Sequence, residues 1–295
     1  MLSPIIDFWR QYMQGFNLVM DYVEHSTILK VLVSCIMSLA FRNIVWVGGV
    51  MIQKVATAIA PKKQQRKLAP QPTPINIVRS VTRKMELGSL LDWKHYDDMP
   101  LGMLLENNGS TVILRICCEP YLVPQLSGGD LPGEYHFVEA CFKWGPLRAE
   151  HSIDLIKFSL EMQVLHRCNQ DHVPFEYVTV SYLFVMMGNG NGPLTSITEN
   201  LRCIARPDSQ MELPPFDLAS LMKPFDSNFY SYEGTYDNGG QVLPTKWMIC
   251  TYIFAISSQQ LSQFFALCGR DGTSIQCNAR KEQPLGNRSV NFHIY

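Results

Sequence analysis

The segment Tyr135–Gly145 carries a thiol and an amine two residues apart, at Cys141 and Lys143. Alternate side chains of a β-strand lie on the same face, so these two side chains should point into the same space. A zinc site needs three or four Cys, His or carboxylate ligands, and a lysine ammonium has no free lone pair. A nucleophilic thiol needs a neighbouring base or a lowered pKa. The pair therefore predicts a buried thiol and a cation, not a metal site.

The chain from Pro74 onward has the pattern of strands punctuated by turns. With 295 residues, 46% of them hydrophobic and 17% charged, the chain can bury a sizeable core. Segments rich in β-branched and aromatic residues predict core strands, and the clearest are Thr111–Ile116, Tyr177–Phe184 and Trp247–Phe254.

Two further segments predict a helix and a loop. Leu261, Phe264 and Phe265 lie at helical spacing after a run of serines, which predicts one surface helix over 258–266. The glycine-rich stretch Gly188–Gly192 lacks both the spacing of a nucleotide-binding loop and a helical pattern behind it. It predicts a flexible loop between sheet strands.

Several motifs besides the first segment follow one another at characteristic spacing. They are Pro74–Ile77, the stretch from Asp97 to Gly109, Glu150-His-Ser-Ile-Asp154 and Gln283-Pro-Leu-Gly-Asn-Arg288. Over residues 70–295 the chain resembles the α-class carbonic anhydrases. The resemblance implies an α/β fold around a large, mostly antiparallel twisted sheet with peripheral helices.

The resemblance also assigns the family's three zinc-ligand positions, which carry Cys141, Lys143 and Gln163 here instead of histidine. None of the seven histidines falls at a ligand position, and His151 and His166 are expected to form hydrogen bonds in the core. Lysine and glutamine are poor zinc ligands, so zinc is expected to be absent and no other cofactor is expected. The chain is therefore similar to the acatalytic branch of the family, the carbonic anhydrase-related proteins.

The other positions that support catalysis in the family are altered or isolated. The proton-shuttle position is Ser110, and the position of the family's gatekeeper hydroxyl is Asp237. Glu150 keeps the second gatekeeping position, and Glu161 keeps an acid that supports a metal ligand in the family. A serine does not exchange protons near neutral pH, so we expect no enzyme activity.

The amine at Lys143 is expected to take roughly the place of the family's metal cation. A buried ammonium requires a carboxylate partner, and the resemblance offers Asp237 or Glu150. On this expectation, Lys143→Met leaves a carboxylate unpaired and destabilises the domain by about 3 to 5 kcal/mol.

The sequence divides into three parts: an amphipathic and hydrophobic extension (1–60), a basic and proline-rich linker (61–72) and the carbonic anhydrase-like domain (73–295). Apolar residues at spacings of three and four predict an amphipathic helix over Leu2–Val23. Its apolar face is equally consistent with packing on its own domain and with binding a protein partner.

Residues 31–60 are strongly apolar, but Arg42 lies near the centre of the stretch and makes membrane insertion marginal. We expect membrane contact there. If a helix does span, the basic cluster of Lys62, Lys63, Arg66 and Lys67 should keep the C-terminal domain cytoplasmic.

Charge and cysteine content narrow the class of protein further. A net charge of −1 gives no field that would attract nucleic acid. Nine cysteines form no regular disulfide framework, and Gln241 stands where extracellular relatives carry a disulfide cysteine, so an intracellular location is expected.

We therefore expect a non-catalytic scaffold or binding protein, associated with a partner or a membrane. Two alternatives stay open. One is a zinc-dependent carbonate dehydratase with an unorthodox site, and the other is an anion or small-molecule sensor that uses the family's active-site cone with Lys143 as its anchor.

Overall fold

The computed structural model describes residues 71–145, 148–171, 173–188 and 190–295. The predicted helix Leu2–Val23, the apolar stretch 31–60 and all but the end of the linker lie outside these residues. Within the described part of the chain, no helix is both long and apolar enough to cross a membrane.

The described residues form strands rich in Val, Ile, Leu and aromatic residues, as expected for a sheet buried on both faces. In chain order the strands are β1 (Asn76–Ile77), β2 (Arg83–Glu86), β3 (Leu91–Lys94), β4 (Gly102–Asn107), β5 (Val112–Cys117), β6 (Gln125–Gly128), β7 (Tyr135–Trp144), β8 (Ser152–Ile153), β9 (Ile156–Lys157), β10 (Leu160–Arg167), β11 (Tyr177–Met186), β12 (Ser209–Leu213), β13 (Phe229–Asp237), β14 (Val242–Ile256) and β15 (Asn291–Ile294). The three core strands predicted from the sequence correspond to β5, β11 and β14, so those predictions are confirmed.

Twelve of these strands form one large sheet in the order β12-β4-β5-β7-β10-β11-β14-β13-β15-β2, with β3 and β6 added beside β7. Neighbouring strands run antiparallel except for the pairs β11 with β14 and β15 with β2. A second sheet contains β1, β8 and β9. This large, mostly antiparallel sheet confirms the predicted fold class.

Helices are few and short in the described chain. The α-helices are α1 (Gly192–Thr198), α2 (Leu218–Leu221) and α3 (Ser258–Phe264), and 3-10 turns cover Arg79–Val81, Pro120–Leu122 and Leu201–Ile204. Helix α3 starts at a capping box in which Ser257 and Gln260 exchange side-chain and backbone hydrogen bonds, which confirms the helix predicted there.

The prediction of no helix after the glycine-rich stretch is wrong, because α1 begins directly at Gly192. The Asn191 side chain accepts a hydrogen bond from the backbone N–H of Leu194, and Pro193 occupies the first turn. A cap followed by proline at the helix start is a recognisable signal, and it outweighs the glycines around it.

The period of two along β7 and β10 separates two hydrophobic cores. Phe142 and Met162 face the larger core, where Phe264 of α3 packs on Phe142 with ring centroids 5.7 Å apart. Cys141 faces the smaller core, which also contains Tyr232 and Trp247. Lys143 and Gln163 share the face of Cys141 by the same alternation.

Candidate functional site

The strand register brings the three predicted ligand positions together. Cys141 on β7 pairs directly with Gln163 on β10, and Lys143 pairs with Glu161 one step further along. All four side chains are buried. The Sγ atom of Cys141 lies 3.7 Å from Oε1 of Gln163, within reach of a weak S–H hydrogen bond.

Glu150 lies next to this group and has Arg280 as its main partner. Arg280 donates from Nε to Oε1 of Glu150 at 2.9 Å, from Nη2 to Oε2 at 2.6 Å and from its backbone N to Oε1 at 3.2 Å. Gln163 adds a hydrogen bond from Nε2 to Oε2 at 3.0 Å. Burial raises the pKa of Glu150, but the Arg280 hydrogen bonds and the Lys143 charge outweigh it and lower the pKa to about 2.

Sequence reasoning did not identify Arg280. It precedes the Gln283–Arg288 motif by three residues, in a segment without strand or helix, so neither periodicity nor that motif marks it. The arginine is held in place because Nη2 also donates to the carbonyl of Thr235 at 3.1 Å and Nη1 to its hydroxyl at 3.3 Å.

Lys143 reaches Glu150 only loosely. Its Nζ lies 3.9 Å from Oε1 of Glu150, which is too long for a hydrogen bond, although the side chain is only 5% exposed. Within the described chain, Lys143 Nζ donates no hydrogen bond. Of the two carboxylates expected to pair with it, the structure brings Glu150 within ion-pair distance. Asp237 instead accepts a hydrogen bond from the backbone N of Gly239 at 2.8 Å.

Glu161 belongs to a separate buried network around His151. It accepts from the backbone N of His151 at 2.8 Å, contacts Nδ1 of His151 at 2.7 Å and accepts from Ser181 Oγ at 2.9 Å. Gln163 donates to it from Nε2 at 2.8 Å. Nε2 of His151 contacts the hydroxyl of Tyr232 at 2.6 Å. The predicted core hydrogen bonding of His151 is thus confirmed, and that of His166 by its contact with the Tyr96 hydroxyl.

Burial raises the pKa of Glu161, but the charge and hydrogen bond of His151 outweigh it, so that the pKa is lowered. Both acids therefore carry a negative charge at neutral pH. They are balanced by cations of this chain, which is the arrangement that a buried carboxylate requires.

Lys143 lies on the wall of a cavity of about 660 Å³. Ser110 and Asp237, the positions implied for proton transfer and for the gatekeeper hydroxyl, line the same cavity together with Arg280. Gly239 closes one side with φ of 82°, and a Cβ atom there would lie 2.3 Å from Cβ of Ser110, so only glycine fits this position.

The residues at the three ligand positions do not fit zinc. Burial raises the pKa of Cys141 to about 12, so it is a neutral thiol at pH 7 and not the thiolate that zinc binds. Gln163 uses its amide N–H groups on Glu150 and Glu161, and Lys143 offers no lone pair. The described residues contain no group of three or more His, Cys, Asp or Glu side chains that could hold a metal ion.

Comparison with known proteins agrees with the fold. Residues 62–294 match the eukaryotic-type carbonic anhydrase family, and the chain belongs to that family. Carbonic anhydrase 15 of Mus musculus is 28% identical over 243 residues, which cover 75% of this chain and 74% of the relative. Carbonic anhydrase 1 of Oryctolagus cuniculus is 27% identical over 180 residues, or 56% of this chain and 76% of the relative.

Proposed function

We propose that this chain is a non-catalytic member of the carbonic anhydrase family, a binding or scaffold protein that carries no zinc. The observation that carries the proposal is the state of Gln163, whose amide donates to Glu150 at 3.0 Å and to Glu161 at 2.8 Å. A side chain held by two buried carboxylates cannot turn its amide away without leaving both carboxylates short of a donor.

The electrostatics of the cavity support the same proposal. In the family, the bound zinc ion lowers the pKa of a water molecule and so supplies hydroxide at neutral pH. Here Lys143 and Arg280 already supply positive charge beside Glu150, at 3.9 Å and 2.6 Å. A divalent cation placed among these two groups would be repelled by both. Ser110 and Asp237 offer no group that exchanges protons as an imidazole does near pH 7.

A direct test measures zinc and carbon dioxide hydration on the same sample. The purified full-length chain is incubated with excess zinc, passed through a desalting column and analysed by elemental analysis and by stopped-flow hydration. We expect less than a tenth of an equivalent of zinc and no hydration above buffer, where "a tenth" is a rough threshold set by trace contamination of weak sites. Stoichiometric zinc together with hydration would establish the alternative, a carbonate dehydratase with an unorthodox site.

A matched pair of variants checks the reasoning by restoring the ligands. The triple variant Cys141→His, Lys143→His and Gln163→His supplies three imidazoles on one face of β7 and β10 and should bind zinc. The control variant Cys141→His with Gln163→His keeps Lys143 and should bind much less. Hydration by the triple variant should stay poor while Asp237 is present. Zinc binding by the control equal to that of the triple variant would contradict the role given to Lys143.

We further propose that residues 1–60 attach this protein to a membrane or to a membrane-bound partner, with the family domain in the cytoplasm. The support is the apolar stretch 31–60, which contains Arg42 and Lys54 and is followed by a basic cluster. A partner that covers those charges would favour insertion of a segment whose insertion alone is marginal. No nucleic acid partner is proposed, since the net charge is −1.

A further inference from the structure

We propose that the cavity beside Lys143 binds a small carboxylate monoanion, with the Lys143 ammonium as its anchor. The inference rests on the proposed absence of zinc and adds to it the chemical class of ligand. It starts from the charges at the base of the cavity, of which one is not matched.

Glu150 has no remaining need for Lys143. Its Oε1 atom accepts two hydrogen bonds from Arg280, at 2.9 and 3.2 Å, and its Oε2 atom accepts from Arg280 at 2.6 Å and from Gln163 at 3.0 Å. Two oxygens with about four acceptor sites are thereby filled. The guanidinium of Arg280 and the carboxylate of Glu150 neutralise each other as one bidentate pair.

Lys143 is then left with a full positive charge and three N–H donors. The residue is only 4% exposed, and its Nζ stands 3.9 Å from an oxygen that is already occupied. A buried ammonium without acceptors is unfavourable by several kcal/mol in general, and an anion that accepts its hydrogen bonds removes much of that cost. This is the observation that points to a ligand.

The space next to Lys143 is open to such a molecule. The cavity measures about 660 Å³, within the range typical of small-molecule sites, and Lys143 is part of its wall. Ser110 adds a hydroxyl to the same wall, and Ile275 adds an apolar surface for the remainder of the ligand.

The charge of the ligand follows from the groups that line the cavity. One unmatched cation calls for one negative charge. Asp237 lines the same cavity and would repel a second negative charge, so a dianion such as sulfate should bind more weakly than a carboxylate.

Acetate is the probe for the carboxylate head group. Binding to the full-length protein is measured by saturation-transfer NMR on the acetate methyl group, at constant ionic strength and with EDTA present. We expect saturable binding to the wild type. Lys143→Gln should weaken it at least tenfold. Asp237→Asn keeps the acceptor for Gly239 but removes the repelling charge, and it should tighten binding several-fold.

The control is Arg270→Gln, because Arg270 lines the same cavity but is exposed and already paired with Asp208 at 2.8 Å. It should change acetate binding by less than twofold. If Lys143→Gln does not fold, Asp237→Asn and Arg270→Gln still decide the matter through their opposite expectations. Equal acetate affinity in the wild type and in Asp237→Asn would overturn the proposal, and so would acetate binding that is no stronger than sulfate binding. Binding that disappears on addition of EDTA would instead show a bound metal, and would refute the proposed function separately.

Discussion

Arg280 and Glu150 form a bidentate ion pair beneath the cavity, with Nε 2.9 Å from Oε1 and Nη2 2.6 Å from Oε2. The carboxylate is fully buried, whereas the arginine side chain is 21% exposed. This pair connects a segment near the C-terminus to the group of residues on β7 and β10. It also decides which residue neutralises Glu150, and therefore how Lys143 behaves.

Removal of Arg280 should be costly. Arg280→Met leaves Glu150 buried with one loose cation at 3.9 Å, and loss of one partner from a buried pair typically costs about 3 to 5 kcal/mol. Urea unfolding followed by tryptophan fluorescence measures the change. The double variant Arg280→Met with Glu150→Leu should recover a large part of the loss, because it removes both charges.

Arg270→Met is the control for that experiment. It breaks an arginine–aspartate pair of similar geometry, but the two side chains are 65% and 60% exposed. An exposed pair is worth at most about 1 kcal/mol. Equal losses from Arg280→Met and Arg270→Met would show that the buried pair has no special weight.

Lys143→Met should be milder than sequence reasoning expects. Because Arg280 supplies the main hydrogen bonds to Glu150, the carboxylate stays paired when Lys143 is removed. The variant also removes a buried ammonium that has no hydrogen-bond acceptor in the described chain. We expect a change of about 1 kcal/mol or less in the free energy of unfolding. A loss as large as that of Arg280→Met would make Lys143, and not Arg280, the principal partner of Glu150.

Acid should weaken the domain through Glu150. Its pKa is lowered from 4.5 to about 2 in the folded chain, so its contribution is fully present above pH 4.5 and is lost as the pH falls toward 2. The size of that contribution is on the order of 3 kcal/mol. Urea unfolding between pH 6 and pH 2 should therefore show a shallower pH dependence for Glu150→Gln than for the wild type. Identical slopes for the two proteins would refute the assignment.

Sequence reasoning identified the sheet and the altered ligand positions because both depend on local patterns. The period of two places Cys141 and Lys143 on one face, and the family motifs locate Gln163 on the neighbouring strand. It failed for Arg280, since the contact between residues 150 and 280 joins segments 130 positions apart. No periodicity encodes a contact of that kind, and so the balance of charge at the base of the cavity required the structure.

The thiol of Cys141 should be unreactive compared with the exposed thiols. It is buried at 0% exposure with its pKa raised to about 12, whereas Cys203 and Cys277 are exposed. All eight cysteines in the described part of the chain are free. Iodoacetamide at pH 7.5, followed by peptide mass spectrometry, should label Cys277 at least a hundredfold faster than Cys141, a rough figure for a protonated and inaccessible thiol. Comparable rates would mean that Cys141 is an activated nucleophile, and the proposed non-catalytic function would need revision.

Membrane attachment through residues 1–60 remains a prediction, and fractionation tests it. The full chain and a chain starting at Leu68 are expressed with the same C-terminal tag, and membranes are then washed with alkaline carbonate. The full chain should stay with the membrane fraction because its apolar stretch resists extraction. The shorter chain keeps nearly all of the region that matches the family, 62–294, and should be soluble. A third chain with Leu39→Asp and Val45→Asp places two further charges beside Arg42 and should shift to the soluble fraction. Full chain and shorter chain both remaining soluble and monomeric would refute the attachment and favour an extension that packs on its own domain.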